Sequence, residues 1–124
     1  MAFFPDHKKT RSSPRDRYLW TQHACIKMRQ YRLGESRVRR IIMFPARVEE
    51  GIIDGAIACM QPSHGKNYSE IWAMYVLVKD KKSHSRGEKL KIITAWRYPG
   101  RSPKRNPIPP NVIAGVRNAL GSLL

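Results

Sequence analysis

YLWTQHACIKMRQYRLGESRVRRIIMFP, residues 18–45, is the stretch whose reading decides the fold. Its first half repeats at helical spacing. Leu19, His23, Ile26 and Gln30 form one stripe in three- and four-residue steps, with Trp20, Ala24, Met28 and Tyr31 beside it. The spacing predicts a helix over 18–33, with Asp16 as N-cap and Gly34 as its stop. Ser36 then caps a second helix over 37–43, with Val38, Ile41 and Ile42 facing inward, and Pro45 ends it. Six basic residues and one acid, Glu35, lie between Tyr18 and Phe44, so the outer surface of this helical pair is positive.

Downstream the pattern changes to strands. Asp54-Gly55 is a hairpin signal between strands over 47–52 and 56–61. SHGKNYS (63–69) is a polar loop. EIWAMYVLVK (70–79) is apolar at both parities, as expected of a central strand covered on both faces. The charged segment 80–88 is a loop. KLKIITAWRY (89–98) is the last strand, with Leu90, Ile92, Thr94, Trp96 and Tyr98 on one face and Lys91, Ile93, Ala95 and Arg97 on the other. Residues 101–109, rich in proline and basic side chains, read as a linker. A final helix opens at Pro110 or Asn111 and carries an apolar stripe of Val112, Ile113, Val116, Leu120 and Leu123. Residues 1–17 have no periodicity and read as a flexible basic arm. The order ααββββα predicts an α+β fold with a meander sheet.

The charge balance narrows the partners. Among 124 residues there are 24 Lys+Arg against 9 Asp+Glu, a net charge of +15. Such a domain attracts polyanions, with nucleic acid the first reading and an anionic membrane surface the second. No apolar run approaches the ~20 residues needed to span a bilayer. The N-terminal stretch lacks the apolar core of a secretory signal, so a cytoplasmic protein is expected. Cys25 and Cys59 stand 34 residues apart in apolar settings. They predict two buried thiols, with no disulfide framework, metal site or cofactor.

The run His23-Ala24-Cys25-Ile26-Lys27-Met28-Arg29-Gln30-Tyr31-Arg32-Leu33, followed by Val38, Ile41, Ile42 and Pro45, resembles a small family that opens with His-Ala-x-x-Arg-Met-x-x-Arg-Gly-Ile. That family is grouped with the RelE-like toxins and the barnase–EndoU–colicin–RelE ribonucleases. Lys27 stands where the family has arginine, and Tyr31 where it has a second one. The resemblance covers residues 18–100 and leaves the C-terminal helix outside. It implies an N-terminal helical hairpin packed on a four-stranded antiparallel sheet. It also implies a metal-independent endoribonuclease acting on messenger or transfer RNA, on or off the ribosome, held silent by an antitoxin.

Metal-free RNA cleavage needs a base for the 2′-hydroxyl, positive charge for the phosphorane and an acid for the leaving oxygen. His23 is the natural acid or base, with Lys27 one turn on to depress its pKa or hold phosphate. Arg47 and Arg97 offer a bidentate phosphate grip, or else pair with Glu49, Glu50 or Glu70. One of those glutamates is the alternative base. Tyr98 is a candidate acid beside Arg97. Phosphate contacts are expected from Arg29, Arg32, Arg37, Arg40, Arg101, Lys104 and Arg105. Trp72 and Trp96 read as core, while Trp20 is open between core and base stacking. His64 and His84 receive no role. The rival reading is a non-catalytic RNA- or DNA-binding module on the same scaffold, with His23 structural. A third reading, compatible with both, docks the terminal helix on a partner such as an antitoxin or a second copy.

Overall fold

The computed structural model describes residues 17–79 and 88–119. Residues 1–16 of the basic arm with Asp16, residues 80–87 of the loop with His84, and Leu120 and Leu123 of the last helix lie outside the described residues.

The start of the chain departs from expectation. Tyr18–Trp20 form a short strand, β1, in place of the first helical turn. β1 runs parallel to β5 (Glu88–Pro99), with Tyr18 to Trp20 opposite Leu90 to Ile92. Thr21 makes the switch. Its hydroxyl donates to the Ile92 carbonyl at 2.7 Å and accepts from the Ala24 N–H at 3.0 Å, so one side chain ties down the strand and caps the helix. Helix α1 is therefore Gln22–Gln30. It stops at Arg32, which takes the left-handed conformation (φ 59°) expected of Gly34. The Leu33 N–H reaches the Met28 carbonyl at 2.7 Å and the Arg32 N–H reaches Arg29 at 3.2 Å, a Schellman closure sealed by buried Met28 and Leu33. Gly34 instead precedes α2 (Glu35–Met43), which opens one residue before the expected cap, Ser36. Arg32→Gly is expected to stabilise the fold by about 1 kcal/mol, because only the arginine meets the left-handed steric penalty. Urea denaturation measures it.

The sheet has five strands in the order β1-β5-β4-β3-β2, with β2 Arg47–Glu50, β3 Ile57–His64 and β4 Tyr68–Lys79. All neighbours are antiparallel except β1 and β5. This corrects the expected four-stranded antiparallel sheet. A parallel pair needs a long connection, and here it spans residues 21–87, which no local pattern joins. The N-terminal helical hairpin is corrected too: β1 comes first, and the helices pack on different strands, α1 along β5 and α2 across β3 and β4. The β2–β3 turn does use Asp54-Gly55. The Ala56 N–H bonds the Ile53 carbonyl at 2.8 Å, and Gly55 (φ 82°) supplies the positive φ of a type II turn.

A bulge in β5 splits its predicted faces. Met74 pairs with Thr94 but Tyr75 pairs with Ile92, so Ile93 is the extra residue. One inserted residue reverses parity. Leu90, Ile92 and Ala95 consequently face α1 and α2 with Cys59, Ile71 and Ala73. Ile93 and Trp96 face the other way with Met60, Trp72 and Met74. That second face is covered by the C-terminal segment. Ile108, and Val112 and Val116 of α3 (Pro110–Asn118), close over it. The stretch read as a linker thus lies on the sheet, and Val112 and Val116 of the α3 stripe are buried against the chain's own core. β4 is covered on both faces, as its composition predicts. Trp72 and Trp96, cross-strand neighbours, stack with centroids 5.6 Å apart.

Candidate nucleic-acid interface

α2 buries Val38 and Ile41, which leaves its arginines on the flank and outer side. Arg39 pairs with Glu35 at 3.5 Å, an exposed contact. Arg37 turns toward the end of the sheet. Burial, then repulsion from Arg40 and Arg97, pushes its pKa down, and its Nε is buried without a hydrogen-bond partner among the described residues. Arg97 projects from β5 on the same face, opposite Ile71. Its guanidinium donates to the Ser69 hydroxyl at 3.3 Å and to the Tyr31 carbonyl at the end of α1 at 3.5 Å. None of Arg37, Arg40 and Arg97 has a carboxylate within ion-pair reach among the described residues. Arg101 lies at this end of the sheet too, its guanidinium 4.4 Å from the Tyr68 ring centroid. Phe44, which ends α2, is 65% exposed. The result is a group of unneutralised arginines beside exposed aromatic surface, a combination suited to phosphates and unstacked bases.

The expected catalytic set does not gather. Arg47 lies on β2, separated from β5 by two strands, about 14 Å at ordinary strand spacing. It faces the C-terminal layer, where it donates to Glu49 at 2.7 Å, to the Ser102 hydroxyl at 2.9 Å and to the Pro103 carbonyl at 2.6 Å. Buried Glu70 accepts from Ser102 at 2.6 Å and from the Trp72 indole at 3.1 Å. Arg47, Glu49 and Glu70 are thereby joined in a polar network holding the C-terminal segment, and sequence reasoning missed the Ser102 that links them. Tyr98 sits beside Arg97 in sequence but on the opposite face, paired with Glu70. Lys27 reaches Gln30 at 3.2 Å. Arg29, Arg32, Lys104 and Arg105 are exposed.

His23 occupies the other end of α1 from Arg97's anchor, Tyr31, about 12 Å away at 1.5 Å per residue. It lies against α3: a methyl placed on Gly115 would stand 3.7 Å from His23 Cε1. Burial, and secondarily Lys27, lowers its pKa below the ordinary 6.5. The folded state therefore prefers the neutral imidazole. Its contribution to stability is full above about pH 6.5, the unfolded value, and is lost as pH falls toward the lower folded value. His23→Gln is expected to flatten the acid side of a plot of melting temperature against pH between 5 and 8, while the wild type declines there.

Cys59 is buried, with its thiol pushed up to about 11, whereas Cys25 is half-buried. No group of three or more His, Cys, Asp or Glu side chains that could hold a metal ion occurs among the described residues. No helix among them is long and apolar enough to cross a membrane.

Fold and site together define an α+β domain that presents clustered arginines at one end of a mixed sheet. Comparison with protein-family models, curated proteins and solved structures finds no match for the chain.

Proposed function

We propose that the protein binds single-stranded RNA through the arginine group at the end of the sheet. The observation that carries this reading is Arg37, crowded by Arg40 and Arg97 with its Nε unpartnered. Such a group repels itself until an anion neutralises it. A phosphate bridging Arg37 and Arg97 removes the repulsion. Exposed Phe44, and Tyr68 under Arg101, supply ring faces for the bases between successive phosphates. The net charge of +15 supplies the long-range attraction. On this reading the protein works in the cytoplasm on messenger or transfer RNA.

The test is fluorescence anisotropy with a labelled single-stranded RNA at graded salt. Three phosphate contacts predict a log–log slope of about −2 for a single strand. A slope near zero counts against the proposal.

A second reading has its own observation. Burial and Lys27 keep His23 neutral near pH 7, the state a general base requires. On that reading the chain is a metal-independent endoribonuclease of RelE-like toxin type, which an antitoxin would silence. Incubation with end-labelled RNA in EDTA decides it. Cleavage that falls by about 100-fold or more in His23→Ala supports the enzyme. Binding without scission, with and without translating ribosomes, leaves the binding module.

A further inference from the structure

Where β5 ends and α3 begins, a half-open cavity of about 390 Å³ lies between Tyr31, Trp96, Arg97, Tyr98, Asn111 and Val112. Its volume is within the range of about 300–1,000 Å³ usual for small-molecule sites. Three of its walls are aromatic. Trp96 is 1% exposed, and its buried indole N–H has no hydrogen-bond partner among the described residues. A buried donor without an acceptor costs about 1–3 kcal/mol. Its neighbour Trp72, by contrast, satisfies its own indole on Glu70. Arg97 brings a cation to the rim, and α3 directs its N-terminal end, positive by the helix dipole, at the same space. An occupant that answers the aromatic walls, the cation and the helix end is planar and anionic at one end.

We infer that this cavity receives one unstacked nucleotide of the bound RNA, its base among Tyr31, Trp96 and Tyr98 and its phosphate on Arg97. The inference rests on the RNA-binding reading and extends it. Arg97 then serves both sites: its guanidinium bonds Ser69 and the backbone carbonyl of Tyr31, a residue that lines the cavity. A strand crossing the arginine group is gripped by phosphate on one side of Arg97 and loses one base into the cavity on the other. A base-paired strand does this only at a cost of a few kcal/mol, since the base has to leave its stack and its partner.

The test uses the full chain labelled with ¹⁵N in tryptophan. Three indole N–H resonances are expected, and Trp96→Phe identifies one of them as Trp96. Adenosine 5′-monophosphate, adenosine, inorganic phosphate, a five-nucleotide oligoadenylate and a blunt RNA duplex are added in turn. The expected result is a shift of the Trp96 resonance with the monophosphate and the oligonucleotide, and none with inorganic phosphate or duplex. Val112→Phe, which fills the cavity, is expected to abolish the shift and weaken oligonucleotide binding about tenfold, the loss of roughly one stacked base. A Trp96 resonance that stays fixed while the oligonucleotide binds in a salt-dependent way overturns the cavity and leaves the RNA reading standing. An oligonucleotide that fails to bind at low salt overturns the RNA reading, and with it the assignment to an RNA strand, even if the free monophosphate shifts the resonance.

Discussion

Arg47→Leu lowers the stability of the fold by about 3 kcal/mol, the lower end for breaking a buried ionic network, and loosens the C-terminal layer first. The side chain is 20% exposed and makes its hydrogen bonds to three partners. Its guanidinium also lies 5.3 Å from the Trp72 ring centroid. Leucine replaces the apolar stem but none of the donors. Glu49 loses its cation, and the exposed Pro103 carbonyl exchanges its bond for one to water. The lower end is chosen because Glu49 is itself 29% exposed and regains some solvation. Ser102 and Glu70 keep their mutual bond, so the loss is partial and the sheet survives. Urea denaturation measures the total. Hydrogen exchange at Val112 and Val116 locates it, with faster exchange there than at the β4 amides. A loss under about 1 kcal/mol, the range of an exposed pair, sinks the account of Arg47 as a clamp and reopens its role as a phosphate ligand.

The triple variant Arg37→Gln, Arg40→Gln, Arg97→Gln loses RNA affinity on the order of 100-fold near 0.1 M salt, at about 1 kcal/mol per charge-assisted phosphate contact. Its salt slope flattens by about 2 units, since each phosphate contact on a single strand contributes about 0.7. Stability moves the other way. Arg37 is disfavoured in its present setting by burial and by two like charges. Arg37→Met removes the repulsion and the orphan donor while keeping an apolar stem under α2. Its melting temperature is expected to equal or exceed that of the wild type. Affinity gained at a cost in stability marks a site kept for binding. A triple variant that binds RNA as tightly as the wild type would show that the phosphate grip lies elsewhere, with Lys104 and Arg105 in the opposite layer the next residues to test.

His23 and Arg97 illustrate what a pattern in the chain can and cannot locate. The i, i+4 spacing of His23 and Lys27 is local, and the helix honours it: the lysine acts on the imidazole as expected. Whether either residue shares a substrate with Arg97 depends on where β5 lies relative to α1. The answer is that Arg97 anchors at Tyr31, two turns beyond His23. Arg47 shows the same limit. An arginine in a strand beside glutamates was open between phosphate grip and salt bridge, and Ser102, 55 residues away, decides the matter by bonding both Arg47 and Glu70.

By itself the sequence determined the features that rest on neighbours within a few residues. These are the inward faces of α2 and α3, the Asp54-Gly55 turn, the doubly covered β4 and the excess positive charge. Periodicity, turn chemistry and net charge are local or additive, so they can be read along the chain. Tertiary structure decided the rest. Tyr18–Trp20 suits either a helix or a strand, and the free edge of β5 made it a strand. Arg32 took the left-handed position in place of Gly34 because Met28 and Leu33, which close that end of α1, are buried in one cluster with Cys59, Ile71 and Ala73. The Ile93 bulge reversed the parity of β5, so that Leu90 and Ile92 no longer share a face with Trp96. In each case a contact between distant parts of the chain outweighs a local preference worth about 1 kcal/mol or less.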